Sequence, residues 1–170
     1  MERLWSPWRL AYVTGTTREC NCIFCDAAFG VDPPLVIHRG TTCFVILNLY
    51  PYNNGHLMVV PNRHIASLAE ATPDELAETM SLARVAEMAL SECYAPHGIN
   101  VGINLGKAAG AGVLGHLHVH VVPRWNGDTN FMTVVGDVRV LPEDLAQTAA
   151  RLRPLFARLA GAVAPPAPPE

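Results

Sequence analysis

Short apolar runs alternate with polar, glycine- or proline-marked breaks along the chain, and only two segments carry a helical period. "LVIHRG" and "TCFVILNLY" read as strands on either side of a turn at Gly40, the second apolar enough to lie centrally. In "YPYNNGHLMVVP" the pair Asn54-Gly55 signals a hairpin, followed by a strand at His56–Val60. Thr72-Pro73-Asp74-Glu75 is a capping box with proline at the first helical position. It opens a long helix to about Cys93, with Leu76, Met80, Ala83, Val85 and Leu90 as a rough apolar stripe. "GINVGINL" predicts a further strand, and "GKAAGAGVLG", with four glycines in ten residues, a backbone-dominated loop. "HLHVHVV" then alternates strictly, as a strand does, and Pro123 is expected to end it. Pro142 starts a second helix towards Ala160, with a bend or break at Pro154. Residues 1–20 read as irregular, with Trp5 and Trp8 available to anchor them, and "APPAPPE" as a proline-rich end. Many short strands with two helices predict an α+β class with a mainly antiparallel sheet, one domain over 1–161 and a disordered tail over 162–170.

Composition narrows the partners. The 170 residues are half hydrophobic, with a formal net charge of −3 and no basic block, so no phosphate-backbone footprint for nucleic acid is present. Small nucleotides are not excluded by that balance. No apolar stretch reaches the length of a membrane span, and no secretory signal is evident, which predicts a cytoplasmic protein. Five cysteines, an odd number, do not suit a disulfide framework in such a compartment. Cys22 and Cys25 form a C-x-x-C, which suits half a zinc site or a pair of ordinary buried thiols; the strand–helix–strand setting of a redox motif is lacking. Cys43 and Cys93 lie in apolar runs and read as packing residues.

The histidines carry the chemistry. In a strand, His116, His118 and His120 share one face at successive spacings of about 6.5–7 Å, while Leu117, Val119 and Val121 face the core. Such a row is a solvated polar face, a joint metal site, or a nucleophile with a neighbour that steadies the group under attack. The glycine-rich loop immediately before it favours the last, because unhindered N–H groups cradle phosphate. A neutral imidazole attacking phosphorus gives a labile phosphoramidate and splits one displacement into two.

The run "HLHVHVV" resembles the motif of the histidine-triad (HIT) family. The likeness extends over residues 1–140 through "CIFC", "FVILNLYPYNNGHLMVVPNRH", "NVGINLG" and "HLHVHVVPRW". "LWSPWRLAYV", "NLYPYNNGHLMVVP" and "PRWNGDTNFM" are most similar to the branch containing diadenosine tetraphosphate phosphorylases. The resemblance implies a HIT-like α+β fold: a five-stranded, mainly antiparallel sheet with a long helix and a C-terminal helix. It implies His118 as nucleophile, His120 as a hydrogen-bond donor to phosphate and His56 as the fourth histidine beside it. Asn48 matches the ribose-binding position, Ile23, Phe24, Ile46 and Leu49 the adenine sandwich, and Asn104 a phosphate-side contact. Phe24, Ile46 and Leu49 also suit a plain core role, and His56 and Asn48 a turn or cap. The resemblance further implies a structural zinc held by Cys22, Cys25, His64 and His116, with Cys20 as a competing ligand.

One departure stands out: the loop from Lys107 to Gly115 has no serine or threonine, leaving phosphate to the N–H groups of Gly110, Gly112 and Val113, with Lys107 as a nearby charge. Trp125 suits a second base or a neighbouring subunit. The expected activity is nucleotidyl transfer or hydrolysis on a dinucleoside polyphosphate, with phosphate or water as acceptor, magnesium on the substrate's phosphates and a homodimer or higher homo-oligomer as the assembly. The rivals are a nucleoside phosphoramidase, a zinc-dependent hydrolase with the triad as ligands, and a non-catalytic nucleotide-binding regulator.

Overall fold

The computed structural model describes residues 22–30, 33–128 and 142–163; Trp5, Trp8, Cys20 and the tail from 164 lie outside them. Among these residues three α-helices, α1 (Ile23–Phe29), α2 (Pro73–Tyr94) and α3 (Leu145–Val163), accompany five strands: β1 (Val36–Arg39), β2 (Cys43–Leu47), β3 (Leu57–Pro61), β4 (Gly98–Ile103) and β5 (Val119–Arg124). The strands form one sheet in the order β1-β2-β3-β5-β4, and every neighbouring pair is antiparallel. This is the α+β architecture expected from the pattern.

The sheet is covered on both faces, which explains why β2 and β3 are apolar throughout rather than alternating. On one face Cys43, Val45, Leu47, Leu57, Val59, Val119 and Val121 meet α2 and α3, whose Leu90, Leu152 and Phe156 are fully buried. On the other, Phe44, Ile46, Met58 and Val60 meet Phe24 and Ala27 of α1. The histidine face of β5 belongs to this second side.

α2 starts as the sequence predicts. Thr72 Oγ1 accepts the Glu75 N–H at 3.2 Å, and the Glu75 carboxylate accepts the Thr72 N–H at 2.8 Å. The apolar stripe is corrected: Leu76 and Met80 are 37% and 63% exposed, while Glu75, Thr79, Leu82, Ala86 and Ala89 face inward. Polar groups can sit on this face because they are partnered. Glu75 pairs with Arg63 at 2.7 Å, and Thr79 Oγ1 lies 3.4 Å from Cys43 Sγ. Further along α2, Glu78 holds the turn after β1, accepting the N–H groups of Thr41, Thr42 and Cys43.

Four further boundaries differ from the pattern. The link between β2 and β3 is a nine-residue loop, 48–56, rather than a two-residue turn; Gly55 takes a φ of 78° within it. A side chain there would meet Leu90 and Tyr94, so glycine is required twice over. Accordingly β3 begins at Leu57, and His56 lies in the loop. β5 begins at Val119, so His116 and His118 precede it, and it runs through Pro123 to Arg124. Pro123 is tolerated because β3 pairing ends at Val121, so the missing N–H faces no strand, and its carbonyl accepts Asn53 Nδ2 at 3.0 Å. Helix α3 starts at Leu145, with Asp144 Oδ1 accepting the Gln147 N–H at 2.8 Å, and passes through Pro154 to Val163. Both Pro154 and Ala150 are exposed, so the carbonyl that proline leaves unbonded stays hydrated. Among the described residues no helix is long and apolar enough to cross a membrane.

Candidate active site

The segment leading into β5 is held by backbone before any side chain is placed: the Leu117 N–H donates to the Ile65 carbonyl at 2.6 Å. His116, His118 and His120 are then buried on the α1 side of the sheet, as their alternation requires. Phe24 of α1 packs edge-on to His116 at a centroid distance of 5.5 Å and tilted to His118 at 5.1 Å. α1 was not visible in the hydrophobic pattern, because its seven residues bury only Phe24 and Ala27. It is fixed at its C-terminal end by Arg39 of β1, whose guanidinium donates to the carbonyls of Ala27 at 2.8 Å, Ala28, and Gly30 at 3.2 Å. Those carbonyls carry the negative end of the helix dipole.

The hydrogen-bond network assigns a tautomer to each imidazole. His118 Nδ1 donates to the His116 carbonyl at 2.8 Å, leaving Nε2 as a bare lone pair. The Tyr52 N–H donates to His56 Nδ1 at 3.1 Å, so His56 carries its proton on Nε2 and donates it to His120 Nδ1 at 2.9 Å. His120 therefore keeps its own proton on Nε2. Neither the His118 nor the His120 Nε2 has a partner among the described residues, yet none of those residues buries an unsatisfied side-chain nitrogen or oxygen, so both reach solvent. The two rings lie 4.9 Å apart, one offering an electron pair and the other a proton. Burial pushes the His118 and His120 values below that of an ordinary imidazole, His120 to about 4 with the neighbouring His118 contributing.

His116 faces a different task. Its Nε2 donates to the Pro61 carbonyl at 2.8 Å, which turns the Nδ1 lone pair towards Cys22 Sγ at 3.1 Å and Cys25 Sγ at 3.7 Å. His64 Nδ1 lies 3.3 Å from Cys25 Sγ. One ligand atom from each of Cys22, Cys25, His64 and His116 lies within 4.8 Å of every other, so the cluster can hold a metal ion. Neither His118 nor His120 joins it.

The remaining sequence candidates are placed as follows. Phe24 and Ile46 share a buried cluster against which Val113 packs. Ile23 and Leu49 are 51% and 55% exposed. Asn48 accepts the Tyr50 N–H at 3.0 Å and donates to His56 Nδ1 at 3.3 Å, supporting the loop that carries His56. Asn104 lines a cleft with His120, whereas Gly110 and Gly112 are exposed in the loop before the triad. That loop has left-handed glycines at Gly106 and Gly110, with φ of 83° and 89°. Sequence reasoning missed Arg39, Tyr52 and the Pro61 carbonyl. Tyr52, tilted over His56 at 4.6 Å, stands in the loop already singled out and could have been found there; a lone arginine and a backbone oxygen give no signal.

Residues 30–127 match the HIT domain family. An AP-4-A phosphorylase of Mycobacterium tuberculosis is 42% identical over 167 residues, covering 93% of this chain and 86% of that protein. Adenylylsulfatase HINT3 of Arabidopsis thaliana is 30% identical over 116 residues, 68% of this chain and 58% of that one. A zinc-bound histidine triad family protein of Mycobacterium smegmatis has the same fold, with a TM-score of 0.68 at 32% identity over 83% of this chain and 96% of that one. The sheet order, the paired imidazole tautomers and the extent of these matches lead to one assignment: the chain belongs to the HIT domain family.

Proposed function

We propose that this protein transfers an adenylyl group from a dinucleoside polyphosphate, such as diadenosine tetraphosphate, through a covalent bond to His118. The observation that carries the reading is the pairing of a bare Nε2 on His118 with an N–H on the adjacent His120. The His118 lone pair attacks the α-phosphorus. The bond from that phosphorus to the bridging oxygen breaks, and adenosine triphosphate leaves with the electron pair. His120 donates to the phosphate oxygen on which charge develops, with His56 holding it in the donor tautomer. In the second half, phosphate or water attacks the same phosphorus and the P–N bond returns its electrons to Nε2. The acceptor's proton passes to solvent, and the product is ADP with phosphate or AMP with water. The similarity to an AP-4-A phosphorylase over most of the chain supports phosphate as acceptor.

In this reading Ile23, Phe24, Ile46 and Leu49 hold adenine and Asn48 holds the ribose. Asn104 and the N–H groups of Gly110, Gly112 and Val113 hold phosphate, without a hydroxyl side chain in the loop. Zinc is the metal proposed for Cys22, Cys25, His64 and His116. A tetrahedral zinc with these ligands has S···N edges of about 3.5 Å, against 3.1, 3.3 and 3.7 Å here. The ion would tie α1 to the segment before β5 and take no part in the chemical step. We also propose a homodimer, supported by the edge strand β4 with exposed Val101 and the exposed Met80 of α2.

The test is intact-mass spectrometry after mixing with diadenosine tetraphosphate, quenched in alkali, for native protein and His118→Ala. An adenylate-mass adduct on native protein alone, discharged to ADP by phosphate, is expected. Turnover without an adduct, abolished by a chelator, would transfer the chemistry to a metal centre. Nucleotide binding without turnover would make the protein a regulator.

A further inference from the structure

A second recess opens beyond His120, away from α1, and of its lining the reaction as proposed uses only His120 and Asn104. It is a cleft of ≈ 280 Å³ between the face of β4–β5 and the loop after β2, lined among others by Tyr52, Asn53, Asn100, Gly102, His120 and Arg124. β4 and β5 pair Gly102 with His120, Asn100 with Val122 and Gly98 with Arg124, so these residues share the face of the triad. Along β5, His120 and Arg124 stand about 13 Å apart, the reach of a short phosphate chain with a sugar at its end.

Three features say what the cleft would take. First, its charges are closed on each other. Arg124 donates to both oxygens of Asp128 at 2.6 and 2.9 Å and to Asn100 Oδ1 at 3.1 Å, and Asn53 Nδ2 donates to Asp128 at 2.7 Å. A wall with no net charge gains little from phosphate but offers amide and carboxylate groups to hydroxyls and ring nitrogens. Second, the Tyr52 ring is stacked 5.9 Å from His120 yet remains 46% exposed, a flat surface on which a base can lie. Third, the floor beside His120 is a glycine that the fold does not need. A Cβ on Gly102 would meet nothing within 4 Å, and its φ is not left-handed. The strand leaves open the space that a ligand passing His120 must cross.

We infer that this cleft is a subsite for the second nucleoside of a dinucleoside polyphosphate, the part of the substrate that departs with the leaving group. The inference rests on the reading of His118 as the adenylyl acceptor. Adenine of the transferred half sits on the α1 side, the phosphates cross His118 and His120, and the second nucleoside lies between Tyr52 and Asn100.

The experiment narrows the cleft without replacing a residue of the proposed chemistry. Gly102→Val suits a strand, with a Cβ that meets nothing within 4 Å, and Asn100→Ala is the second variant. Turnover is compared for diadenosine tetraphosphate and adenosine 5′-phosphosulfate, whose leaving group is too small to reach the cleft. We expect kcat/KM for the dinucleotide to fall about tenfold or more in both variants, with the phosphosulfate unchanged. Binding is compared by calorimetry in the His118→Ala background, using diadenosine tetraphosphate and adenosine 5′-tetraphosphate, which lacks only the second nucleoside. The dinucleotide should bind about tenfold tighter, and Gly102→Val should remove that advantage. Equal binding of the two ligands, or equal loss for both in the variants, overturns the subsite. Absence of turnover with either substrate overturns the adenylyl-transfer reading instead, and the binding comparison still decides the subsite.

Discussion

His56 Nδ1 accepts the Tyr52 N–H, and the position of each proton from there to the outer edge of His120 follows from that bond. Replacing His56 by alanine frees His120 to adopt the other tautomer. We expect kcat to fall about 100-fold with KM for nucleotide little changed, measured by steady-state kinetics on protein that retains its fold. Acid acts on the same residues. His120 has a folded value of about 4 against 6.5 for an ordinary imidazole, so between those values the unfolded chain takes up the proton and the folded one does not. This contribution therefore weakens stability as pH falls through that window. For the folded enzyme the expected outcome is an acid limb of kcat/KM that lies below the 6.5 of an ordinary imidazole, because burial holds the attacking His118 below that value. An acid limb centred at 6.5 would contradict the assigned burial. The row of histidines was legible in the sequence because side-chain period and strand period coincide. The protons were not, since they depend on a backbone N–H and a backbone carbonyl, which carry no signal of residue type.

At the scale of elements, the strands were legible from their apolar runs between turn signals, and α2 from its capping box and proline. α1 was not. It is short, Cys22 at its N-cap makes no side-chain cap bond, and it is held by Arg39 at one end and by the contacts of Cys22 and Cys25 with His116 and His64 at the other. Arg39→Ala should leave the sheet intact and loosen α1 by about 1 kcal/mol. The expected readout is faster release to a chelator of zinc loaded into the proposed site, with global unfolding in urea little altered. The stripe of α2 was misplaced for a related reason. Thr79 and Glu75 look polar in the sequence, yet their partners on β2 and in the loop after β3 let them face inward. Burial of a polar residue is decided by a partner distant in sequence, which no local period reports.

For the whole molecule, β4 is the open edge of the sheet, and Val101 on it is half exposed. If two copies join there, Val101→Lys should halve the mass measured by sedimentation equilibrium while leaving the monomer's fold unchanged. A native protein that already sediments as a monomer would remove the dimer. The strand order has a consequence in time as well. β5 lies between β3 and β4, so β4 and β5 must close as a hairpin and dock onto a β3 formed some 60 residues earlier, as in the pairing of Leu57 with Val121. That long closure is the slow kind of contact to make. His56 meets His120, and Cys22 meets His116, only when it is complete. A nascent chain still held in the ribosome with β5 unformed thus has neither the His118–His120 pair in place nor the Cys22, Cys25, His64 and His116 cluster together. The proposed metal site and the imidazole pair form together, once β5 has docked between β3 and β4.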